Sequence, residues 1–331
     1  MNGDARGIIG HERQRQRLSR LWRKGRLPSA LMFAGDAGIG KSLVAREMFR
    51  TLYCEGNGAD YGGCGVCRAC RLFDAGNFPD FHCRDCLEKD ESTAEALREL
   101  LYSLHLNAYS GKQRCILLQN TEYLSNQCAN LLLKILEEPR PDTYFCLLTS
   151  SPSRLPATVL SRCHIWFFDR LSEQQVAEII ERQGIAAESG LSVRELAVLA
   201  DGTMENITSI SALGEDWARL PEKLDAMLAG DAAAAGPLAY ELSKERQELR
   251  ARIRLMRVHA RSRMLAAEDD ADRTTWSVCV SNLLEAEYLI FERNMGAAYV
   301  LGLIFADLAD REAAHSPPFL KPGRMIEEIV V

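Results

Sequence analysis

Residues Gly35 to Ser42 read Gly-Asp-Ala-Gly-Ile-Gly-Lys-Ser, a complete G-x-x-x-x-G-K-[ST] phosphate-binding loop. In such a loop, glycines let backbone N–H groups curl around phosphate oxygens, the lysine adds positive charge, and the serine hydroxyl is placed to hold Mg²⁺. The motif demands a strand before it and a helix after it. Ala30-Leu31-Met32-Phe33-Ala34 reads as the buried strand, and Leu43 to Phe49 as the helix whose N-terminus faces the anion. Gly35, Gly38, Gly40, Lys41 and Ser42 are therefore the candidate nucleotide ligands, with ATP or ADP and Mg²⁺ as the expected cofactor.

At 331 residues the chain has room for two or three domains. No apolar run approaches the length of a membrane span, and Met1-Asn2-Gly3-Asp4-Ala5-Arg6 lacks the apolar core of a signal peptide, so no membrane partner and a cytoplasmic location are expected. A net charge of −6 argues against a protein that coats nucleic acid by bulk attraction. Two basic stretches survive that average, Arg13 to Arg26 and Arg250 to Arg263. In the first, Arg13, Arg17, Arg20 and Lys24 share one helical face, and a solvated helix face is the expected role of both.

Six of the eleven cysteines fall between residues 54 and 86. Cys64-x₂-Cys67-x₂-Cys70 follows Cys54 through a stretch containing Gly56, Gly58, Gly62, Gly63 and Gly65. Four thiolates close a tetrahedral Zn²⁺ site, and the short spacing turns successive sulfurs onto one ion. Cys54, Cys64, Cys67 and Cys70 are the expected ligands of a structural zinc. Cys83, Cys86 and His82 stand close enough in sequence to join or replace one of them. Cys115, Cys128, Cys146, Cys163 and Cys279 sit in apolar or helical surroundings and are expected in cores.

Three further apolar runs, Cys115–Leu118, Tyr144–Leu148 and His164–Phe168, are continuous rather than alternating, which suits strands of a parallel sheet buried on both faces. A helix is expected over Asn126 to Glu138, ended by Pro139. Strands alternating with helices make an α/β domain around the phosphate loop. A P-loop ATPase needs an acid at the end of a neighbouring strand to help hold Mg²⁺, and a further group to position water. Here that strand ends Leu118-Gln119-Asn120, two amides with no charge for the metal. Glu122 is the alternative acid, placed past the strand end.

Tyr123-Leu124-Ser125, Leu131-Leu132-Leu133-Lys134-Ile135-Leu136-Glu137-Glu138-Pro139 and Arg154 through Ser161-Arg162-Cys163 closely resemble the AAA+ subunits of the bacterial DNA polymerase III clamp loader. The cysteine loop resembles their zinc module. The resemblance covers about residues 7–210 and is loose beyond. It implies a P-loop AAA+ domain with a parallel sheet over residues 1–168 carrying the zinc module at 54–70, a small helical lid over 169–213, and an all-α collar over 214–331. Catalytic members carry Asp-Glu where this chain has Gln119-Asn120, and a lid Gly-x-x-Arg where it has Gly202-Thr203-Met204-Glu205. An acid there would repel phosphate. Ser150 occupies the sensor position and is uninformative.

The resemblance therefore implies a non-catalytic or weakly nucleotide-binding subunit within the polymerase III holoenzyme. It would assemble with gamma/tau and delta in a hetero-pentamer that loads the sliding clamp on primer-template DNA. Arg162 is its expected trans arginine finger, directed at the γ-phosphate held by a neighbour and worth roughly 10³–10⁵ in rate. Two alternatives stand beside this reading: a gamma/tau-like ATPase rescued by Glu122, and a zinc-dependent nucleic-acid-binding module. Helices are expected from Leu171 through the lid, near Ser192–Ala200 and Glu205–Leu213, and last at Asn294–Leu308. Gly230 to Pro237 reads as a helix–helix connection, or a short helix bounded by breakers, and Glu268 to Asp272 as an acidic exposed loop.

Overall fold

The computed structural model describes residues 7–56, 61–87, 99, 113–185, 192–211, 216–244, 246–291 and 293–309. The chain divides into two compact units: Met1–Gln183 with Asp201–Met204, and Gly184–Ala200 with Glu205–Val331. The expected boundary between lid and collar, at 213/214, lies outside the described residues, as does the end of the third lid helix.

The first unit contains α1 (Glu12–Arg23), β1 (Ala30–Ala34), α2 (Lys41–Tyr53), α3 (Arg68–Asp74), β2 (Phe81–Asp85), β3 (Arg114–Gln119), α4 (Asn126–Glu137), β4 (Thr143–Thr149), α5 (Ala157–Leu160), β5 (His164–Phe167) and α6 (Glu173–Gln183). Its five strands form one sheet in the order β2-β3-β4-β1-β5, and every pairing is parallel. β1 is therefore internal, between β4 and β5, and the loop leaving it opens over the carboxyl edge of the sheet, where open α/β folds bind ligands.

The two faces of the sheet are covered by different helices. Leu31, Phe33, Cys115, Leu117, Cys146 and Leu148 meet Leu18 of α1, Val44, Met48, Phe49 and Tyr53 of α2, and Phe73 of α3. On the other face Met32, Ile116, Leu118, Phe145 and Leu147 meet Cys128, Ala129, Leu132 and Leu136 of α4 and Val159 of α5. Burial on both sides explains why β1, β3 and β4 read as unbroken apolar runs.

The two outer strands do not follow that pattern. β2, Phe-His-Cys-Arg-Asp, has no apolar run and was no part of the expected sheet. It is an edge strand whose Phe81 packs against Phe49 and Phe73 with tilted rings while Arg84 and Asp85 face water. β5 occupies the other edge. Trp166 is buried there, but Ile165 and Phe167 are 36% and 68% exposed, so the expectation of burial on both faces fails at this strand.

Local signals at the helix ends are explicit. The Ser125 hydroxyl caps α4 by accepting from Cys128 N at 3.2 Å. Ser172 and Gln175 form a reciprocal box at the start of α6: the Ser172 hydroxyl accepts from Gln175 N at 3.2 Å, and Gln175 Oε1 accepts from Ser172 N at 3.0 Å.

The second unit is helical among the described residues: α7 (Val193–Ala200), most of α8 (Met204–Ser211), α9 (Asp216–Leu228), α10 (Ala235–Ser243), α11 (Arg246–Ala266), α12 (Asp270–Phe291) and α13 (Ala297–Ala309). One core of Leu199, Leu224, Leu249, Met256, Leu283 and Phe305, among others, joins α7 and α9 through α13. The breaker-rich stretch at 230–237 becomes a 3₁₀ turn running into α10, with Pro237 in the first turn, where its missing N–H costs little. The acidic run at 268–272 differs from the expected loop. Asp270 and Asp272 occupy the first turn of α12, favoured by the helix dipole, and the Asp269 carboxylate accepts from Ala271 N at 3.1 Å.

The basic stretch on α11 is partly paired within its own unit. Arg250, Arg254 and Arg257 converge on Glu287 of α12 at 3.6, 3.7 and 2.9 Å, and Arg252 pairs with Glu248 at 2.8 Å. On α1, Arg13, Arg17, Arg20 and Lys24 are all exposed, as the helical spacing requires. Arg17 lies over the Trp166 ring at 4.7 Å.

Candidate nucleotide site and metal centre

The phosphate loop is a steep backbone turn that only glycine can make. Gly38 and Gly40 have φ of 73° and 100°, and a Cβ on Gly35 would lie 2.3 Å from the Phe168 carbonyl oxygen. Gly40 caps α2, so Lys41 and Ser42 open a 13-residue helix with its amino end toward the loop. Lys41 Nζ donates to the carbonyls of Gly35 and Asp36, at 2.6 Å each, which holds its charge inside the loop. His11 Nε2 donates to the Ile39 carbonyl at 2.6 Å, and burial lowers the His11 pKa, keeping the ring neutral. Met204 N donates to the Gly38 carbonyl at 3.0 Å. The loop is thus shaped, tied and positively charged, and its glycine cradle fits phosphate. Gly35, Gly38, Gly40, Lys41 and Ser42 come together as the motif requires.

The amides that stand where a metal-holding acid is needed are both engaged. Gln119 Nε2 donates to Cys83 Sγ at 3.3 Å, and Asn120 Nδ2 donates to Asp85 Oδ1 at 2.8 Å. Asn120 has φ 54°, so the chain turns sharply here into the 3₁₀ turn Thr121–Tyr123. That turn returns Glu122 to the sheet. Its Oε1 accepts from the Ser150 amide at 3.1 Å and, closer still, from the Ser150 hydroxyl. Burial pushes the Glu122 carboxyl up, but the hydrogen bonds from Ser150 outweigh it, and the group is held below its ordinary pKa. The sequence placed Glu122 past the strand end and Ser150 as uninformative; the structure couples them.

The sulfurs of Cys54, Cys64, Cys67 and Cys70 all lie within 4.8 Å of one another. Four thiolates around a tetrahedral zinc, with Zn–S near 2.3 Å, stand about 3.8 Å apart, so the cluster closes on the ion with small shifts. Backbone N–H groups point at the sulfurs: Cys64 N to Cys54, Cys67 N to Cys64 and Cys70 N to Cys67, at 3.2, 3.3 and 3.4 Å. Hydrogen bonds from the Val66 and Cys67 amides lower the Cys64 thiol to about 6, whereas burial pushes Cys70 up to about 12. Gly63, with φ 74°, is required by crowding: a Cβ there would lie 3.1 Å from Cys70 Sγ. Gly58 of the expected loop lies outside the described residues.

Cys83 and Cys86 stand apart from this cluster. Cys83 is on β2, within reach of Gln119 and Arg46, and Cys86 is buried among the side chains of α4 and α5. Cys115, Cys128, Cys146 and Cys279 are buried, and Cys163 is half-buried against the same core.

The module is fastened to α2 by Arg50, which is 1% exposed. Its Nε donates to the Gly62 carbonyl at 2.6 Å, its Nη1 reaches both oxygens of Asp74 at 3.2 Å, and the Thr51 hydroxyl accepts from Gly62 N at 2.7 Å. Arg50→Leu is expected to destabilise the first unit by about 2 kcal/mol, less than a fully buried pair because Asp74 is half in water. Urea unfolding of the zinc-loaded protein measures it, and an unchanged midpoint would contradict the fastening role.

Arg162 follows α5. Its Nη2 pairs with Glu137 Oε1 at the end of α4 at 2.5 Å, and its Nη1 donates to the Thr158 carbonyl at 2.9 Å. Neither partner is deeply buried, with side-chain exposures of 33% for Arg162 and 50% for Glu137.

A parallel sheet in the order β2-β3-β4-β1-β5, with the phosphate loop leaving its internal strand, defines a P-loop nucleotide-binding domain. A family model described as DNA polymerase III, delta subunit, matches residues 10–172. DNA polymerase III subunit delta' of Pseudomonas aeruginosa is 37% identical over 135 residues, 40% of this chain and 41% of that protein. Its counterpart in Escherichia coli is 31% identical over 178 residues, 53% of each chain. DNA polymerase III subunit tau of Escherichia coli is 31% identical over 208 residues, which are 62% of this chain and only 32% of that protein. Over residues 10–172 the chain is similar to DNA polymerase III subunits of the delta' and tau kind. It spans about half the length of its Escherichia coli delta-prime relative and about a third of the tau relative.

Proposed function

We propose that this protein is a delta-prime-like subunit of the clamp loader, one that binds nucleotide weakly or structurally and does not turn it over alone. The observation that carries this reading is the pair Gln119 and Asn120, amides where the metal needs an acid, both held by hydrogen bonds to β2. Glu205, where the resemblance places the lid arginine, is an acid rather than a cation. Arg162 is then the residue through which the chain acts, as a finger toward nucleotide held by a gamma/tau neighbour. Delta completes the proposed hetero-pentamer, which would load a sliding clamp on primer-template DNA in the cytoplasm. Residues 1–168, 169–213 and 214–331 are its proposed nucleotide-binding, lid and collar parts, and Cys54, Cys64, Cys67 and Cys70 hold its zinc.

Glu122 favours a second reading. Its Oε2 is buried and has no hydrogen-bond partner, while Oε1 is fixed by Ser150, just past the end of β4, the strand next to β1. A carboxylate so placed could serve Mg²⁺ in a gamma/tau-like ATPase. Hydrolysis by the isolated chain decides between them. The expected result is no sustained ATP turnover, with Mg-nucleotide binding that Lys41→Ala abolishes. Turnover that depends on both Lys41 and Glu122 would establish the second reading instead.

A further inference from the structure

Arg170 stands just after β5 and belongs to none of the motifs described above. Its Nε donates to Asp36 Oδ2, inside the phosphate loop, at 2.5 Å, and its Nη1 donates to Asp201 Oδ2 at 2.5 Å. Asp201 opens the turn Asp201–Met204, which belongs to the same compact unit as the loop. That turn is seated closely. Leu171 N donates to the Gly202 carbonyl at 3.0 Å, and Gly202, at φ 77°, has no room for a side chain, since a Cβ would lie 2.6 Å from the Leu171 carbonyl oxygen. The far end of the turn provides the Met204 N–H that binds the Gly38 carbonyl. One guanidinium therefore joins the second residue of the loop to a turn that itself grips the fourth.

The pairs are too exposed to be there for stability. Arg170, Asp36 and Asp201 have side-chain exposures of 47%, 47% and 34%, and pairs of that kind contribute little to folding. Their electrostatic effect on a ligand is a different matter. Asp36 and Asp201 would leave two negative charges beside a loop that must receive a polyphosphate, and Arg170 offsets them through a planar fork that touches both. We propose that Arg170 is a positioning residue for nucleoside di- and triphosphates: it neutralises the acidic border of the phosphate loop and holds the Asp201–Met204 turn against Gly38. This rests on the reading of Gly35–Ser42 as a nucleotide site.

The test uses the full chain, with Mg-ADP titrated by calorimetry and hydrogen exchange followed at the Met204 amide. Arg170→Met should weaken Mg-ADP about tenfold or more and speed exchange at Met204. Arg170→Lys, which keeps the charge but cannot fork onto two carboxylates, should fall between. Combining Arg170→Met with Asp36→Asn and Asp201→Asn should restore most of the affinity while Met204 stays unprotected, which separates charge from bracing. Wild-type affinity in Arg170→Met would overturn the proposal, and so would a triple variant as weak as the single one. If the wild-type chain binds no Mg-ADP, the nucleotide reading itself has failed. The brace is then judged by Met204: unchanged exchange in Arg170→Met overturns it, and faster exchange upholds it.

Discussion

Removal of zinc is expected to unravel the segment from Cys54 to Asp74 and to cost the first unit at least about 4 kcal/mol of stability. Structural zinc sites in peptides bind with apparent free energies of roughly 10–16 kcal/mol near neutral pH, and that energy is folding energy wherever the loop has no structure of its own. This loop has little else. Near the metal stand Gly62, Gly63 and Gly65 at positive φ and four cysteines, and the apolar support among the described residues is Tyr61, Ala69, Leu72 and Phe73. Arg50 and Thr51 fasten only Gly62 and Asp74, so without the ion the sulfurs have no common centre and the turns at Gly63 and Gly65 have little to hold them. Cys67→Ser should behave like chelation, because Cys67 is at once a proposed ligand and the cap of α3, where its sulfur accepts from Cys70 N. Cys83→Ser should leave the metal content unchanged, and Cys86→Ser should lower stability without releasing metal. Metal analysis with thermal unfolding reads all three. Full zinc retention in Cys67→Ser, or its loss in Cys83→Ser, would overturn the ligand assignment.

What could be read in advance depended on whether the cause was local. The phosphate loop and the cluster of four cysteines were legible because each motif brings its own geometry within a few residues. β1, β3 and β4 were legible because burial on both faces leaves an unbroken apolar run. β2 was not, since an edge strand needs only Phe81 and Cys83 turned inward and its other residues may be polar. The acidic run at 268–272 misled for a related reason: acids mark an exposed loop and the first turn of a helix equally well, and only the apolar pattern starting at Trp276 separates them. Glu122 with Ser150, Arg162 with Glu137, and Arg170 with Asp36 and Asp201 are separated by 28, 25, 134 and 31 residues, and no pattern in one chain signals such pairs.

Arg162→Ala should leave the isolated protein folded, with a change in stability below about 1 kcal/mol, yet lower ATP turnover by the assembled complex by roughly 10³ or more at the site that Arg162 serves. The two magnitudes belong to one guanidinium in two surroundings. In the free chain Arg162 is held by Glu137 in an ion pair open to water, so breaking that pair costs little. The same guanidinium, moved into a water-excluded interface beside a γ-phosphate, meets charge that grows in the transition state, where its effect is far larger. A weak resting partner suits a residue that must be handed over. Arg162→Lys should restore little turnover, because an ammonium lacks the planar fork. Glu137→Gln should leave the finger available and turnover at or near the wild-type rate, which distinguishes a resting contact from a working one. Steady-state hydrolysis by the reconstituted complex, with assembly checked by gel filtration, measures all three. Unchanged turnover in Arg162→Ala would remove the residue from the mechanism, and a loss confined to assembly would make it a structural contact only.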